Sequence, residues 1–141
     1  MSILERYQQY AAAFEETYRD DDWSRLEQFF TEDAVYEFGT ARAQGREAVL
    51  EALKTSVNGI DRKMDSRTPD FEPPTADGKT VNMSWQVTYR KSGYPDLVIR
   101  GREIAEFRGD RMALLRDEMD AEAATAMAGW MSEHGPGLQG G

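Results

Sequence analysis

The chain has no cysteine and a single histidine, His134. The first absence removes thiol nucleophiles, disulfides and thiolate metal sites together. The second rules out a multi-histidine metal centre. Neither a metal nor an organic cofactor is expected. No apolar run approaches the roughly 20 residues that a membrane-spanning helix needs. The opening MSILERYQQY is polar and amphipathic, without a secretory pattern. Positive charge is scarce, with 17 Lys and Arg against 26 Asp and Glu and a net charge of −9. Such a surface repels phosphate backbones and anionic lipid heads, so neither nucleic acid nor a membrane is an expected partner. With the missing cysteines, this predicts a cytoplasmic protein. Glycine-rich phosphate loops, GxSxG elbows and HExxH zinc motifs are also lacking.

What is present reads as one domain. The 141 residues are 40% hydrophobic and 11% aromatic, enough for a single core without staples. Residues 1–134 are assigned to that domain and the glycine-rich 135–141 to a flexible tail. Ile3, Tyr7, Tyr10, Phe14 and Tyr18 recur at helical spacing over 3–20. Asp21 or Asp22 is expected to cap a short second helix carrying Trp23, Leu26, Phe29 and Phe30. A strand is expected at 34–39. A third helix follows, with Val49, Leu50, Leu53 and Val57 on its apolar face and Asn58-Gly59 as its stop. The pattern then alternates through four strand-like runs punctuated by Asp77-Gly78, Ser92-Gly93 and Gly109-Asp110, which predicts an antiparallel meander. Pro69, Pro73 and Pro74 put the first of these at an edge or a bulge. A last helix, about 121–133, is expected to bury Ala124, Met127, Trp130 and Met131 and to end at Gly135-Pro136. Helices first and then a meander make an α+β fold: a curved antiparallel sheet wrapped as a cone around the helices, with an open end able to hold a ligand.

The candidate chemistry lies on the last two strands. Side chains alternate across a strand. Leu97, Ile99, Gly101, Glu103, Ala105 and Phe107 therefore share one face, with Glu103 the lone charge among apolar neighbours. On the next strand Ala113, Leu115, Asp117 and Met119 are assigned inward. Burial raises a carboxyl pKa, and two close acids push one of them further. One can then donate a proton while the other accepts one. The structural alternative pairs Glu103 with an arginine, Arg67 or Arg102. Asp117 could instead stand in water at its strand end. Phe14, Tyr36, Phe38, Trp85, Tyr89 and Met119 are candidate pocket-lining residues, although aromatic stripes also serve simply as core. His134 reads as a residue near a helix C-terminus.

The order of elements, carried by YRDDDWSRLEQFFTEDAVYEFG, GREAVLEAL and EIAEFRGDRMALLRDEMD, resembles the nuclear-transport-factor-2-like superfamily. That superfamily includes ketosteroid isomerases, limonene epoxide hydrolases and SnoaL-like polyketide cyclases. The isomerase pattern of helix Tyr, strand Asp and meander Asp falls here on Phe14, Phe38 and Glu103. The epoxide hydrolase pattern of Arg, Asp and second Asp falls on Gly101, Glu103 and Asp117. The cyclase pattern asks only for a late-strand carboxylate above an apolar pocket, a part Asp117 can take. The resemblance implies an acid–base enzyme acting on a small lipophilic molecule, with Glu103 and Asp117 carrying protons. Tyr18 or Tyr36 would polarise a carbonyl oxygen, Tyr18 replacing the missing phenol from one turn further along. A non-catalytic binding module or a dimerisation domain would use the same fold. A homodimer is expected through the mixed polar sheet face of Asn82, Ser84, Gln86, Thr88 and Arg100.

Overall fold

A computed structural model describes residues 2–59 and 61–139, with side chains through Pro136. Helix α1, Ile3–Asp20, begins at Ser2, whose hydroxyl accepts from the Glu5 amide at 3.1 Å, satisfying one of the first-turn donors. It ends at Asp21, in the left-handed conformation. Trp23–Phe29 then winds as a 3₁₀ helix, burying Trp23, Leu26 and Phe29. That spacing of three matches the 3₁₀ repeat, in which such side chains eclipse. Phe30 consequently opens strand β1, Phe30–Phe38, instead of closing the helix. Asp22 precedes the 3₁₀ helix without a side-chain cap bond; its carboxylate takes the Ser24 hydroxyl at 2.5 Å.

β1 turns at Gly39, φ 59°, into the short strand β2, Ala41–Gln44, a hairpin the sequence pattern did not predict. Helix α2, Arg46–Gly59, buries Val49, Leu50, Leu53 and Val57 as expected. Strands β3, Ser66–Phe71, and β4, Thr75–Asp77, both pair with β5, Thr80–Arg90. Pro73 and Pro74 break the outer strand between them, since proline gives no ladder N–H. β6, Leu97–Arg108, and β7, Arg111–Met119, complete the meander.

The sheet has seven strands in the order β2-β1-β7-β6-β5-β3, with β4 also on β5. The meander is antiparallel, but β1 joins β7 in parallel, so the sheet is mixed. A bulge bends β7: Glu106 faces Leu114 while Phe107 faces Met112, leaving Ala113 as the extra residue. The bulge reverses the phase of the strand start. Met112, not Ala113, is therefore the fully buried residue there.

Helix α3 runs Ala121–Gln139, through Pro136 rather than ending at Gly135-Pro136; residues 140 and 141 lie outside the described residues. It buries Ala123 and Trp130, whereas Ala124 is exposed. His134 lies within it, its ring 5.2 Å from those of Tyr94 and Trp130. Two buried clusters result. One joins α1, α2 and β1 to the centre of the sheet around Tyr7, Phe30 and Leu115. The other sits under α3 around Met64, Ile99 and Trp130. Among the described residues, no helix is long and apolar enough to cross a membrane.

Candidate functional site

Between the two clusters lies a hollow of about 400 Å³. Phe14, Tyr36, Phe38, Trp85, Tyr89 and Met119, the pocket residues expected from the sequence, all line it. So do Glu103 and Asp117. The alternation along β6 holds, and Glu103 faces inward while Arg102 and Glu106 face out.

Glu103 and Asp117 are directly opposed in the β6–β7 register, which brings their side chains within contact range. Each also receives a phenol. Tyr7 Oη donates to Glu103 Oε1 at 2.6 Å, and Tyr36 Oη donates to Asp117 Oδ2 at 2.9 Å. Neither expected arginine reaches Glu103. Arg67 is taken by Glu15 and Asp61, and Arg102 pairs with Glu118 on the outer face. Desolvation, and then the neighbouring Asp117 charge, raise the Glu103 pKa well above the usual carboxyl range. Desolvation raises Asp117 as well, but hydrogen bonds from Glu103 and Tyr36 oppose it. Both carboxyls are thus shifted upward as one interacting pair, Glu103 the further, so Glu103 is the member that keeps its proton longer.

Tyr18, expected to supply a phenol, stands apart. Its hydroxyl points to the Asp61 backbone carbonyl at 3.3 Å, and its ring lies under the Arg67 guanidinium at 5.0 Å. Tyr7, one of the α1 stripe, takes the place foreseen for it. Tyr10 is nearby and 3% exposed; it lines the hollow, and its hydroxyl makes no hydrogen bond among the described residues. Gly101 explains why no arginine precedes Glu103 on this face. A Cβ there would lie 2.0 Å from the Glu118 carbonyl oxygen, so no side chain fits. Among the described residues, no group of three or more acids or histidines is placed to hold a metal ion.

The sequence model of the SnoaL-like domain matches residues 8–115, most of the chain. The chain belongs to the SnoaL-like domain family. Among curated proteins, none matches it. Solved structures resemble this SnoaL-like chain closely in fold. A candidate SnoaL-like polyketide cyclase from Shewanella denitrificans is 18% identical with a TM-score of 0.65, covering 89% of this chain and 96% of its own. A candidate isomerase from Bacillus subtilis is 22% identical with a TM-score of 0.65, covering 92% and 97%. A protein of ketosteroid-isomerase-like fold from Catenulispora acidiphila, solved with trimethylamine, is 15% identical with a TM-score of 0.64, covering 85% and 92%. At these identities the likeness carries the SnoaL-like fold and not an activity.

Proposed function

We propose that this SnoaL-like protein is a cofactor-independent acid–base catalyst of the cyclase or isomerase kind, acting on a small lipophilic carbonyl compound. The observation that carries this reading is the Glu103–Asp117 pair in the hollow, with a phenol on each acid and, among the described residues, no cation on either. Two carboxyl groups holding one proton offer an acid and a base side by side. Protonated Glu103 donates to the substrate carbonyl oxygen while ionised Asp117 removes an α-proton. The C–H electron pair becomes the new C=C bond, the oxygen takes the proton of Glu103, and the pair again holds one proton, now on Asp117. In a β,γ-unsaturated substrate, Asp117 returns that proton to the γ-carbon of the dienol while the enol hydroxyl gives its proton back to Glu103 and the C=O re-forms, which isomerises the substrate. Alternatively the enol carbon attacks a second carbonyl, whose oxygen takes the proton of Asp117 while the enol hydroxyl returns its own to Glu103 and its C=O re-forms, and a ring closes. Tyr10, its hydroxyl unengaged, serves as a second donor to the developing oxyanion.

Thermal-shift screening with lipophilic ketones, lactones and epoxides identifies ligands, since binding raises the melting temperature. A bound methyl ketone, 2-acetylnaphthalene first, is then deuterated at its α-carbon and followed by NMR. The expected result is enzyme-dependent loss of deuterium, falling about 10²–10⁴-fold in Glu103→Gln and in Asp117→Asn. Ligands that bind without any exchange would leave the non-catalytic binding module as the better reading.

The same proposal includes a homodimer through the outer sheet face. Arg100 and Arg102 lie there beside Asp70, Glu72 and Glu118, and such a mixture can pair with its own two-fold copy. Sedimentation equilibrium should give a dimer at micromolar concentration. A monomer throughout would remove this part.

A further inference from the structure

The hollow has a second polar end that the acid pair does not use. Asp61, at the 3₁₀ turn Asp61–Lys63, is buried, and it accepts from Tyr89 Oη at 2.9 Å. Arg67 on β3 lies against it, Nε to Asp61 Oδ2 at 2.8 Å, and also holds Glu15 of α1 through Nη1 at 3.0 and 3.2 Å. The Arg67 side chain is only 10% exposed, and Arg67, Asp61, Glu15 and Tyr89 all line the hollow. Its Nη2 makes no hydrogen bond among the described residues and, unlike Nε, is not sealed from solvent. Here is a guanidinium, nine-tenths buried, with a donor left over. A ligand acceptor reaching into the hollow can take that donor in place of solvent.

Charge decides which acceptor. Arg67 is the one cation among the lining residues, against Glu15, Asp61, Glu103 and Asp117. It is already faced by two of those acids. A ligand carboxylate would meet their repulsion, whereas an uncharged oxygen would not. Apolar Val87 and Ile99 also line the hollow, on the stretch of β5 and β6 between the two polar ends. The ligand therefore needs a greasy middle.

We propose that the Arg67 end is a second recognition site, at which Nη2 donates to an uncharged acceptor oxygen, a ketone, ester or lactone, at the far end of an elongated lipophilic ligand. The reacting carbonyl of that ligand sits at Glu103 and Asp117, so the proposal rests on the function read above.

The test uses 2-acetylnaphthalene carrying, at the far ring position, a methyl ester on a chain of zero to three methylenes. Each ester is compared with the hydrocarbon of the same length and with its free acid. Binding to the whole protein is followed by probe fluorescence. The expected result is at least one ester binding about tenfold tighter than its hydrocarbon twin, with its free acid weaker than the ester. The gain should shrink in Arg67→Lys, which keeps the charge but loses the guanidinium fork. Esters no tighter than hydrocarbons across the series, or acids tighter than esters, would overturn the proposal. Both comparisons are made in the unaltered protein, so a variant that fails to fold does not decide them. Failure of the catalytic reading shows separately, as no α-deuterium loss from the bound ketone.

Discussion

Replacing Tyr7 by Phe removes one hydroxyl and keeps the ring. That hydroxyl donates to Glu103 Oε1 at 2.6 Å and touches Met83 Sδ at 3.6 Å. Tyr7 is 1% exposed, so bulk water does not replace the lost donor. A hydrogen bond to a neutral acid is worth about 1 kcal/mol, and one to an ionised acid about 1.5–3 kcal/mol. The loss should therefore depend on pH. The phenol favours the ionised form and lowers the Glu103 pKa within its overall rise. Removing it raises that pKa further. The stability gap between Tyr7→Phe and the unaltered protein should start near 1 kcal/mol where Glu103 is protonated. It should widen to about 2–3 kcal/mol as pH climbs through the titration of Glu103. Urea unfolding at intervals from slightly acidic to alkaline pH reads this directly. With a slope of about 2 kcal/mol per molar urea, the midpoint gap should grow from roughly 0.5 M to 1 M or more. A gap that stays flat across the range would refute the reasoning, since Tyr7 would then be only a buried ring.

The acid pair also sets a pH slope of its own. The folded chain keeps the Glu103 proton at pH values where an unfolded glutamate, near 4.3, has released it. Stability should therefore fall as pH rises between the two values, by up to about 1.4 kcal/mol per pH unit, and Glu103→Gln should flatten that fall; identical pH profiles would contradict it. Gly101→Ala drives a Cβ against the Glu118 carbonyl, 2.0 Å away in the unrelaxed geometry. It should cost about 2–3 kcal/mol and lower the melting temperature by roughly 5–10 °C; a change inside 1 °C would show that β7 yields freely. Arg67→Met leaves Asp61 and Glu15 without their cation. It should cost about 3–5 kcal/mol, with part recovered by adding Asp61→Asn; a double variant no more stable than the single, by urea unfolding, would deny the pairing.

Glu103 was legible in the sequence because the apolar face of β6 keeps its phase from Leu97 to Phe107, so one charge on that face stands out. Asp117 was harder, since the bulge at Ala113 breaks the alternation early in β7. The assignment held for Leu115, Asp117 and Met119 and failed at Ala113. Tyr7 was legible only as helix stripe. Nothing local announces that its hydroxyl meets a carboxylate 96 residues later, and that meeting comes from how α1 crosses the sheet. The same holds for Asp61 and Arg67, which lie on a turn and an edge strand and become a unit only once β3 pairs with β5. The β1–β2 hairpin escaped because Ala41–Gln44 is short and carries no β-branched residue. The length of α3 escaped because glycine and proline read as a stop, although a helix can carry both at a cost.

The measurement that bears most directly on the whole account is a carboxyl ¹³C NMR titration of Glu103 and Asp117 in the folded protein. The account predicts two separate steps, with Glu103 releasing its proton far above the ordinary glutamate range and Asp117 ionised before it. Both carboxyls titrating together, at the values of exposed side chains, would contradict it.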